Sequence, residues 1–253
     1  MNQFEIFLEK NIKEINSIKG LDKCKIIINN SKQFGEGEQK IMKYIREKTK
    51  NKCILIYGLD ADLILLSILL LKTHSEIYLL RENVYCSLSE FEKDDYLLVN
   101  IKILWKLLVN EINNTISKHQ IFLKKKGVEP TIFNINENSL MNDFILLSCY
   151  FGNDFLPAIP AVSLSLQDSI YFIIDNYSKT LAEEGNYMVQ HVTDNVFRWN
   201  SSFLIKFWSL CRVDENKRMS MRTNHWLRKR LNEENTKESI QPIKELHSIP
   251  QKK

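Results

Sequence analysis

Apolar positions along the chain follow two spacings, one typical of helices and one typical of buried strands. Short apolar or β-branched runs predict strands over residues 24–30, 53–56 and 76–81. Apolar residues three and four apart predict helices over residues 2–18, 38–49, 64–71, 94–115, 141–151, 165–183 and 200–212. Strands separated by helices imply parallel connections. The pattern therefore predicts an α/β fold with a central, largely parallel sheet flanked by helices, followed by a mostly helical C-terminal part.

Two aspartates interrupt the most apolar window of the chain. Residues 57–63 read Tyr-Gly-Leu-Asp-Ala-Asp-Leu, and they join a predicted buried strand to a predicted buried helix. Ionised Asp60 and Asp62 are costly in such surroundings unless they are paired or bind a metal. In open α/β sheets, ligands bind at the carboxyl ends of strands. The segment therefore predicts a metal site, although a helix cap plus one exposed aspartate accounts for either residue alone.

Two further turns carry carboxylates. Residues 35–38 read Gly-Glu-Gly-Glu, between a predicted strand and a predicted helix. In an extended segment Glu36 and Glu38 share a side, and the glycines permit an unusual backbone path. The alternative is an ordinary acidic helix N-terminus. Asp154 follows a predicted buried helix, in an Asn-Asp turn of the kind that is commonly explained by turn chemistry alone.

Carboxylates on tight turns indicate hard-cation chemistry. The candidate ligands are Glu36, Glu38, Asp60, Asp62 and Asp154. Oxygen ligands suit Mg²⁺ or Mn²⁺. Two such ions about 4 Å apart can activate a water and stabilise the leaving oxygen in phosphodiester hydrolysis. The five histidines are scattered without metal-ligand spacing, and neither a Walker motif nor a dinucleotide fingerprint is present.

Composition limits the class of protein and its compartment. The 253 residues are 44% hydrophobic and 26% charged, with a net charge of +4, which is ordinary for a soluble domain and permits a polyanionic partner. The five cysteines lie far apart, which argues for a reducing compartment. The first residues lack a secretory signal, and Asp60 and Asp62 interrupt the one window that approaches the length of a membrane span. We therefore expect an intracellular protein, cytoplasmic or nuclear, without a membrane partner.

The three carboxylate motifs, in this order, resemble those of the Xrn-type 5′→3′ exoribonucleases, a family that belongs with the flap endonucleases and PIN-like nucleases. The motifs are Gly-Glu-Gly-Glu-Gln-Lys-Ile-Met over residues 35–42, Tyr-Gly-Leu-Asp-Ala-Asp-Leu over residues 57–63 and Gly-Asn-Asp-Phe-Leu-Pro over residues 152–157. The resemblance runs to about residue 212. It implies an incomplete PIN-like nuclease core and a substrate of RNA bearing a 5′-monophosphate.

The resemblance also implies roles for the five carboxylates as metal ligands in the catalytic site. Glu38 would lie between two Mg²⁺ or Mn²⁺ ions. Asp60, Asp62 and Asp154 would complete the shell of one ion, and Glu36 would serve the other. These roles come from the family pattern and not from the spacing of the residues.

Departures from the family pattern predict that the catalytic core is partial. Family members begin with a segment that carries two more metal-binding aspartates and a basic pocket for the 5′-phosphate, and we expect this chain to start after it. A separate chain that supplies the N-terminal half is therefore an expected partner. Gln39 replaces the histidine that is usual after the second glutamate. We expect a partial nuclease core over residues 1–160, a helical extension over 161–213 and a basic, flexible tail over 214–253.

The basic tail has two interpretations. If the tail is helical, Arg218, Arg222, His225 and Lys229 share one face near Trp226. This face could contact a phosphate backbone beside an aromatic platform. A solvated terminal helix explains the same residues.

Three functions are compatible with these residues. The first is a metal-dependent 5′→3′ exoribonuclease, or the second half of its catalytic domain, inactive without the N-terminal segment. The second is a catalytically inactive RNA-binding remnant or regulatory subunit. The third is a phosphatase with Asp60 as nucleophile and Asp62 as acid, which leaves Glu36 and Glu38 unexplained.

Overall fold

The computed structural model describes residues 6–7, 10–11, 14, 17, 24–30, 32–48, 52–83, 96–131, 135–154, 156–164, 168–193 and 196–240. In the last of these ranges, side chains are described up to residue 231, apart from 225 and 229. The chain divides into two compact units, Met1–Ile101 and Lys102–Lys253, and each is described by itself. The predicted helix over residues 2–18 lies largely outside the described residues.

In the part of the first unit that the structure describes from residue 24 onward, two helices accompany a three-stranded sheet. Its elements are α1 (Gly37–Lys48), β1 (Ile54–Tyr57), α2 (Asp62–Leu70), β2 (Ile77–Glu82) and β3 (Tyr96–Asn100). Strand β1 pairs parallel with β2, and β2 pairs antiparallel with β3. Helix α2 packs on β2 and against α1. The predicted α/β core is confirmed, with a small mixed sheet.

Burial along β1 explains why this segment is a strand. Ile54 and Ile56 are buried, whereas Leu55 and Tyr57 are exposed, so one face of the strand packs into the core. Helix α2 is apolar nearly all round, as expected of a helix that is enclosed on most sides. The turn between β1 and α2 is therefore held by buried structure at both ends.

Two predicted elements differ from the structure. Residues 24–30 form an irregular segment instead of a strand. The β-branched side chains alone do not make a strand, and none of the described strands pairs with this segment. Residues 96–100 form β3, although they were predicted to begin a helix, and the helix starts at Ile101. An apolar run of this length suits either structure, and pairing with β2 decides it.

The second unit is mostly helical, as predicted. Its elements are α3 (Ile101–Lys125), α4 (Glu137–Cys149), a 3₁₀ turn (Pro160–Val162), α5 (Ser169–Glu184), β4 (Val189–Thr193), β5 (Val196–Trp199), α6 (Ser201–Val213) and α7 (Glu215–Ile240). The first residue of α3, Ile101, is the last residue of the first unit. The antiparallel hairpin of β4 and β5 was not predicted from the sequence. Helix α7 lies wholly within residues 214–253, the segment that was predicted as a basic, flexible tail. None of the described helices is long and apolar enough to cross a membrane.

A buried carboxylate joins three elements of the second unit. Asp143 on α4 is fully buried. Its side chain accepts hydrogen bonds from the Tyr177 hydroxyl at 2.7 Å, the Met188 amide at 2.8 Å and the Val189 amide at 3.0 Å. Burial raises the pKa of Asp143 to about 6, although these three bonds oppose the rise. Asp143 therefore ties α4 to α5 and to the start of β4.

One arginine of the predicted basic face is buried. Arg218 on α7 donates hydrogen bonds to the Ala161 carbonyl at 2.6 Å and to the Ser169 hydroxyl at 2.7 Å. Its guanidinium carbon lies 4.2 Å from the centre of the Phe172 ring. The expectation that Arg218 shares a solvated or phosphate-contacting face is therefore wrong. The predicted domain boundaries at residues 160 and 213 stay predictions.

Candidate functional site

The turn that follows β1 is fixed by hydrogen bonds from the neighbouring strand. The Gly58 amide donates to the Leu80 carbonyl at 3.1 Å. The guanidinium of Arg81 donates to the Leu59 carbonyl. A Cβ at Gly58 would collide with the end of the Leu63 side chain on α2, so a larger residue there would force Leu63 to shift. The backbone of the turn is thereby held on both sides.

The two aspartates of this turn differ in their local roles. Asp60 is exposed, and its Oδ1 accepts a hydrogen bond from the Asp62 amide at 3.2 Å. This bond is the local turn chemistry typical of aspartate. Asp62 is half-buried and is the first residue of α2, where a negative charge is favourable. The alternative of a helix cap plus one exposed aspartate therefore explains part of the local environment of Asp60 and Asp62.

The glutamate pair lies at the start of α1. Gly35 takes a φ of +103°, which permits the sharp approach to the helix. The Glu36 carbonyl accepts the Lys40 amide at 3.1 Å, so Glu36 occupies the capping position. Glu38 lies in the first turn of α1 and is half-buried. The glutamate pair thus forms an acidic helix N-terminus, which was the alternative predicted from the sequence. That role does not explain what the Glu38 side chain contacts.

Three neighbouring carboxylates of the first unit act on Glu38. The pKa of Glu38 is raised by burial, then by the charge of Asp60, a side-chain hydrogen bond with Asp60, and the charges of Asp62 and Glu36. Two carboxyl groups can share a hydrogen bond only when one of them is protonated. Like charges this close disfavour full ionisation. The cluster therefore has an electrostatic cost that a bound cation would relieve.

The donor chemistry of this carboxylate cluster fits a hard divalent cation. Carboxylate oxygens are the ligands that Mg²⁺ and Mn²⁺ prefer. Within the part of the chain that the structure describes, however, no three histidine, cysteine, aspartate or glutamate side chains converge closely enough to hold an ion. The cluster supplies the right groups, and their assignment as ligands stays a prediction.

Asp154 lies in the second unit, in the loop that follows α4. Gly152 takes a φ of +83°, and a Cβ there would lie 2.6 Å from the Ala158 amide, so the loop turns back tightly at this point. Asn153 closes the turn, because its side chain accepts the Leu156 amide at 2.8 Å. Asp154 itself is exposed. Its place among the metal ligands stays a prediction.

Three residues around the turn were not identified from the sequence. They are Arg81, which donates a hydrogen bond to the Leu59 carbonyl, Tyr57, and Glu82, which accepts a hydrogen bond from the Tyr57 hydroxyl. All three lie at the carboxyl ends of β1 and β2, which are paired and parallel. The sequence signal that could have identified Arg81 and Glu82 is that this polar pair directly follows the apolar run at residues 77–80.

Comparisons with known proteins match both units. The model of the XRN 5′-3′ exonuclease N-terminus matches residues 1–83, and the model of the Xrn1 helical domain matches residues 134–248. The two matches occur in this order and together span most of the chain. The chain belongs to the Xrn-type 5′→3′ exonuclease family. The first match contains four of the predicted ligands, and the second contains Asp154.

Curated Xrn-type relatives are far longer than this chain. A protein of Acanthamoeba polyphaga mimivirus described as a 5′-3′ exonuclease is 33% identical over 196 residues, which are 76% of this chain and 28% of that protein. The 5′-3′ exoribonuclease 1 of Saccharomyces cerevisiae is 31% identical over 68% of this chain and 11% of its own length. The 5′-3′ exoribonuclease 2 of Yarrowia lipolytica is 29% identical over 69% of this chain and 17% of its own length. The chain thus spans less than a third of each.

Proposed function

We propose that this chain is part of a metal-dependent 5′→3′ exoribonuclease. The observation that carries the proposal is the cluster of Glu36, Glu38, Asp60 and Asp62 at the carboxyl end of β1. These four residues stand in the motifs that resemble the metal-binding motifs of the Xrn-type family. Relatives named exoribonucleases match the chain across both units, which supports RNA as the substrate.

The carboxylate cluster of the first unit is proposed to hold Mg²⁺ or Mn²⁺, with two ions in the complete site. When bound, the ions would activate a water and stabilise the leaving oxygen of a phosphodiester. The chain itself holds the carboxylates on fixed turns: Arg81 anchors the turn of Asp60, and α1 anchors Glu38. Carboxylates coordinate an ion in their deprotonated form, so a bound cation would lower the raised pKa of Glu38.

The proposal extends to partners and compartment. The substrate is RNA with a 5′-monophosphate, and a separate polypeptide supplies the N-terminal half of the catalytic domain. The net charge of +4 is compatible with a polyanionic substrate. We place the protein inside the cell, in the cytoplasm or the nucleus.

Nuclease assays test the proposal directly. The purified chain is mixed with the N-terminal segment of the yeast 5′-3′ exoribonuclease 1 and with short RNA that carries either a 5′-monophosphate or a 5′-hydroxyl. The expected result is release of mononucleotides from the phosphorylated RNA in Mn²⁺ or Mg²⁺, and none in a chelator. Asp62→Asn should lower the rate by at least about a hundredfold, as expected for loss of a group that acts on the transition state.

The control is Glu47→Gln, which removes an exposed carboxylate from the far end of α1. Its rate should equal that of the unmodified chain. Salt-sensitive RNA binding without turnover, unchanged by Asp62→Asn, would replace the nuclease with an inactive RNA-binding protein. Equal turnover of both RNA ends would contradict the requirement for a 5′-monophosphate.

A further inference from the structure

Helix α7 is anchored to the second unit near its start and is exposed further along. Arg218 is buried and donates hydrogen bonds to the Ala161 carbonyl and the Ser169 hydroxyl. The helix packs on the 3₁₀ turn and on α6. Every described side chain from Thr223 to Leu231 is exposed. Residues 217–231 therefore form a helical arm that a buried arginine holds at one end and that faces solvent at the other.

One stripe of this arm changes from buried to exposed along the helix. The stripe consists of residues four positions apart: Arg218, Arg222, Trp226 and Arg230. Residues at this spacing are neighbours on a helix surface, about 6 Å apart along its axis. Arg218 is 8% exposed, Arg222 is half-buried, and Trp226 is 55% exposed. The stripe thus offers a row of two arginines and a tryptophan beyond its buried anchor.

Positive charge is concentrated in the arm. Residues 217–231 contain six lysines and arginines and no aspartate or glutamate. The whole chain has 35 lysines and arginines against 31 aspartates and glutamates, so outside the arm the balance is 29 to 31. Within the described part of the chain, none of the ion pairs includes Arg222 or Arg228. The arm is therefore the source of the positive net charge, and its charge is complementary to a polyanion.

An aromatic ring within the stripe narrows the kind of polyanion. The Arg230 guanidinium carbon lies 5.2 Å from the centre of the Trp226 ring. An exposed indole between basic side chains is the arrangement on which a nucleobase stacks while the cations contact phosphates. An acidic peptide would match the charge but offers no base to stack on the indole. Bases in a duplex are already stacked on each other, so the combination favours a single strand.

We propose that Arg222, Trp226 and Arg230 bind single-stranded RNA without sequence preference. The two guanidinium groups contact phosphates, and the indole stacks on a base between them. Arg218 does not contact the RNA, and it fixes the position from which the stripe starts. The choice of RNA as the polyanion rests on the proposed function. Binding by the arm uses neither a metal ion nor the carboxylate cluster, so the arm and the nuclease can fail separately.

Binding of the full-length chain to a fluorescein-labelled oligouridine with a 5′-hydroxyl tests the proposal. Fluorescence anisotropy gives the affinity at several salt concentrations, and a chelator in every sample prevents metal-dependent cleavage. Arg222→Gln and Arg230→Gln should each reduce the slope of log affinity against log salt by about 0.7 to 1, the effect of one lost phosphate contact. The matched control is Arg228→Gln, which removes the same charge from another side of the same helix and should keep the slope.

A tryptophan variant separates stacking from charge. Trp226→Ala should bind oligouridine about fivefold or more weakly, because one stacked base is lost, and Trp226→Phe should recover part of the affinity. Inorganic polyphosphate is charged but has no bases, so Trp226→Ala should bind it as the unmodified chain does. Trp226 and Arg230 are exposed, so their variants should keep the melting temperature of the unmodified chain.

Three results would overturn the proposal. The first is an equal salt slope for Arg230→Gln and Arg228→Gln. The second is an unchanged oligouridine affinity of Trp226→Ala, or an equal loss of affinity for oligouridine and polyphosphate. The third is binding to vesicles of anionic phospholipid with no binding to oligouridine, which would assign the arm to a membrane surface.

Discussion

The guanidinium of Arg81 on β2 donates a hydrogen bond to the carbonyl oxygen of Leu59, directly before Asp60 in the chain. This bond fixes the backbone from which the Asp60 side chain extends. A residue outside the carboxylate cluster thereby sets the direction of one of its members.

Loss of this bond should weaken cation binding without unfolding the first unit. Arg81→Met keeps much of the side-chain volume but leaves the Leu59 carbonyl without its charged donor. A hydrogen bond from a charged group contributes about 1.5–3 kcal/mol, so we expect Mn²⁺ affinity to fall by about tenfold or more. Titration calorimetry measures the affinity. Arg46→Met, an exposed arginine on α1, should bind Mn²⁺ as the unmodified chain does.

Removing one charge from the carboxylate cluster should have opposite effects on stability and on cation binding. Burial and the neighbouring charges raise the pKa of Glu38, so its ionised form is disfavoured in the ion-free chain. Glu38→Gln removes that repulsion, and we expect the free energy of unfolding without metal to rise by a few tenths of a kcal/mol. Mn²⁺ should then no longer raise the melting temperature. Glu47→Gln should change neither quantity, and a melting temperature of Glu38→Gln that still rises with Mn²⁺ would contradict a metal-binding role for Glu38.

Local patterns in the sequence predicted the strand, the helix and the carboxylates that form the first unit's site. Ile54 and Ile56 alternate with exposed residues, and α2 is apolar nearly throughout, so their periods identify β1 and α2. The two-residue spacing of the acidic residues identified each pair, Glu36 with Glu38 and Asp60 with Asp62, at a turn before a predicted helix. These features depend on neighbours within a few positions.

Features that depend on partners distant in sequence were not predicted. Residues 96–100 pair with β2, and that pairing overrides a helical apolar spacing. Arg218 reaches the Ala161 carbonyl and the Ser169 hydroxyl, more than forty residues away, while its own neighbours form a basic segment that suggests solvent exposure. Such contacts are set by packing and leave no periodic signal along the chain.

The buried Asp143 should make the stability of the second unit depend on pH. Its pKa is raised from 3.8 to about 6, so the fold favours the protonated carboxyl. The stability that this preference contributes is fully present below about pH 4 and is lost as the pH rises through about 6. The loss amounts to about 3 kcal/mol at most. Urea unfolding at several pH values measures it, as the difference between the unmodified chain and Asp143→Asn.

Asp143→Asn should remove this pH dependence and also destabilise the unit. Asp143 accepts three hydrogen bonds, two of them from the backbone amides of Met188 and Val189. The asparagine amide group places a donor against one of those amides in either orientation, which costs about 1–3 kcal/mol. Asp175→Asn, at a residue paired with Lys179 near the surface, is the matched control and should cost less than about 1 kcal/mol. An Asp143→Asn variant that keeps the full pH dependence would assign the titration to another group.

Arg218 should stabilise the second unit by contacts that no other side chain can reproduce. It is buried, bonded to Ala161 and Ser169, and stacked over Phe172. Arg218→Met leaves the Ala161 carbonyl without a donor and should lower the free energy of unfolding by about 2–4 kcal/mol. Arg218→Lys should recover little of this, because a lysine ammonium cannot hold two acceptors in the planar geometry of a guanidinium.

The control for Arg218 is Arg222→Met, one turn further along α7, which should change stability by less than about 0.5 kcal/mol. Urea denaturation of the three variants gives the comparison, and titration with RNA at two salt concentrations gives a second measurement. If Arg218 acts only through the fold, Arg218→Lys should leave the salt dependence of RNA affinity unchanged. This comparison is made at a temperature at which the variant remains folded. A slope reduced by about one, with stability unchanged, would instead place the Arg218 charge on a phosphate.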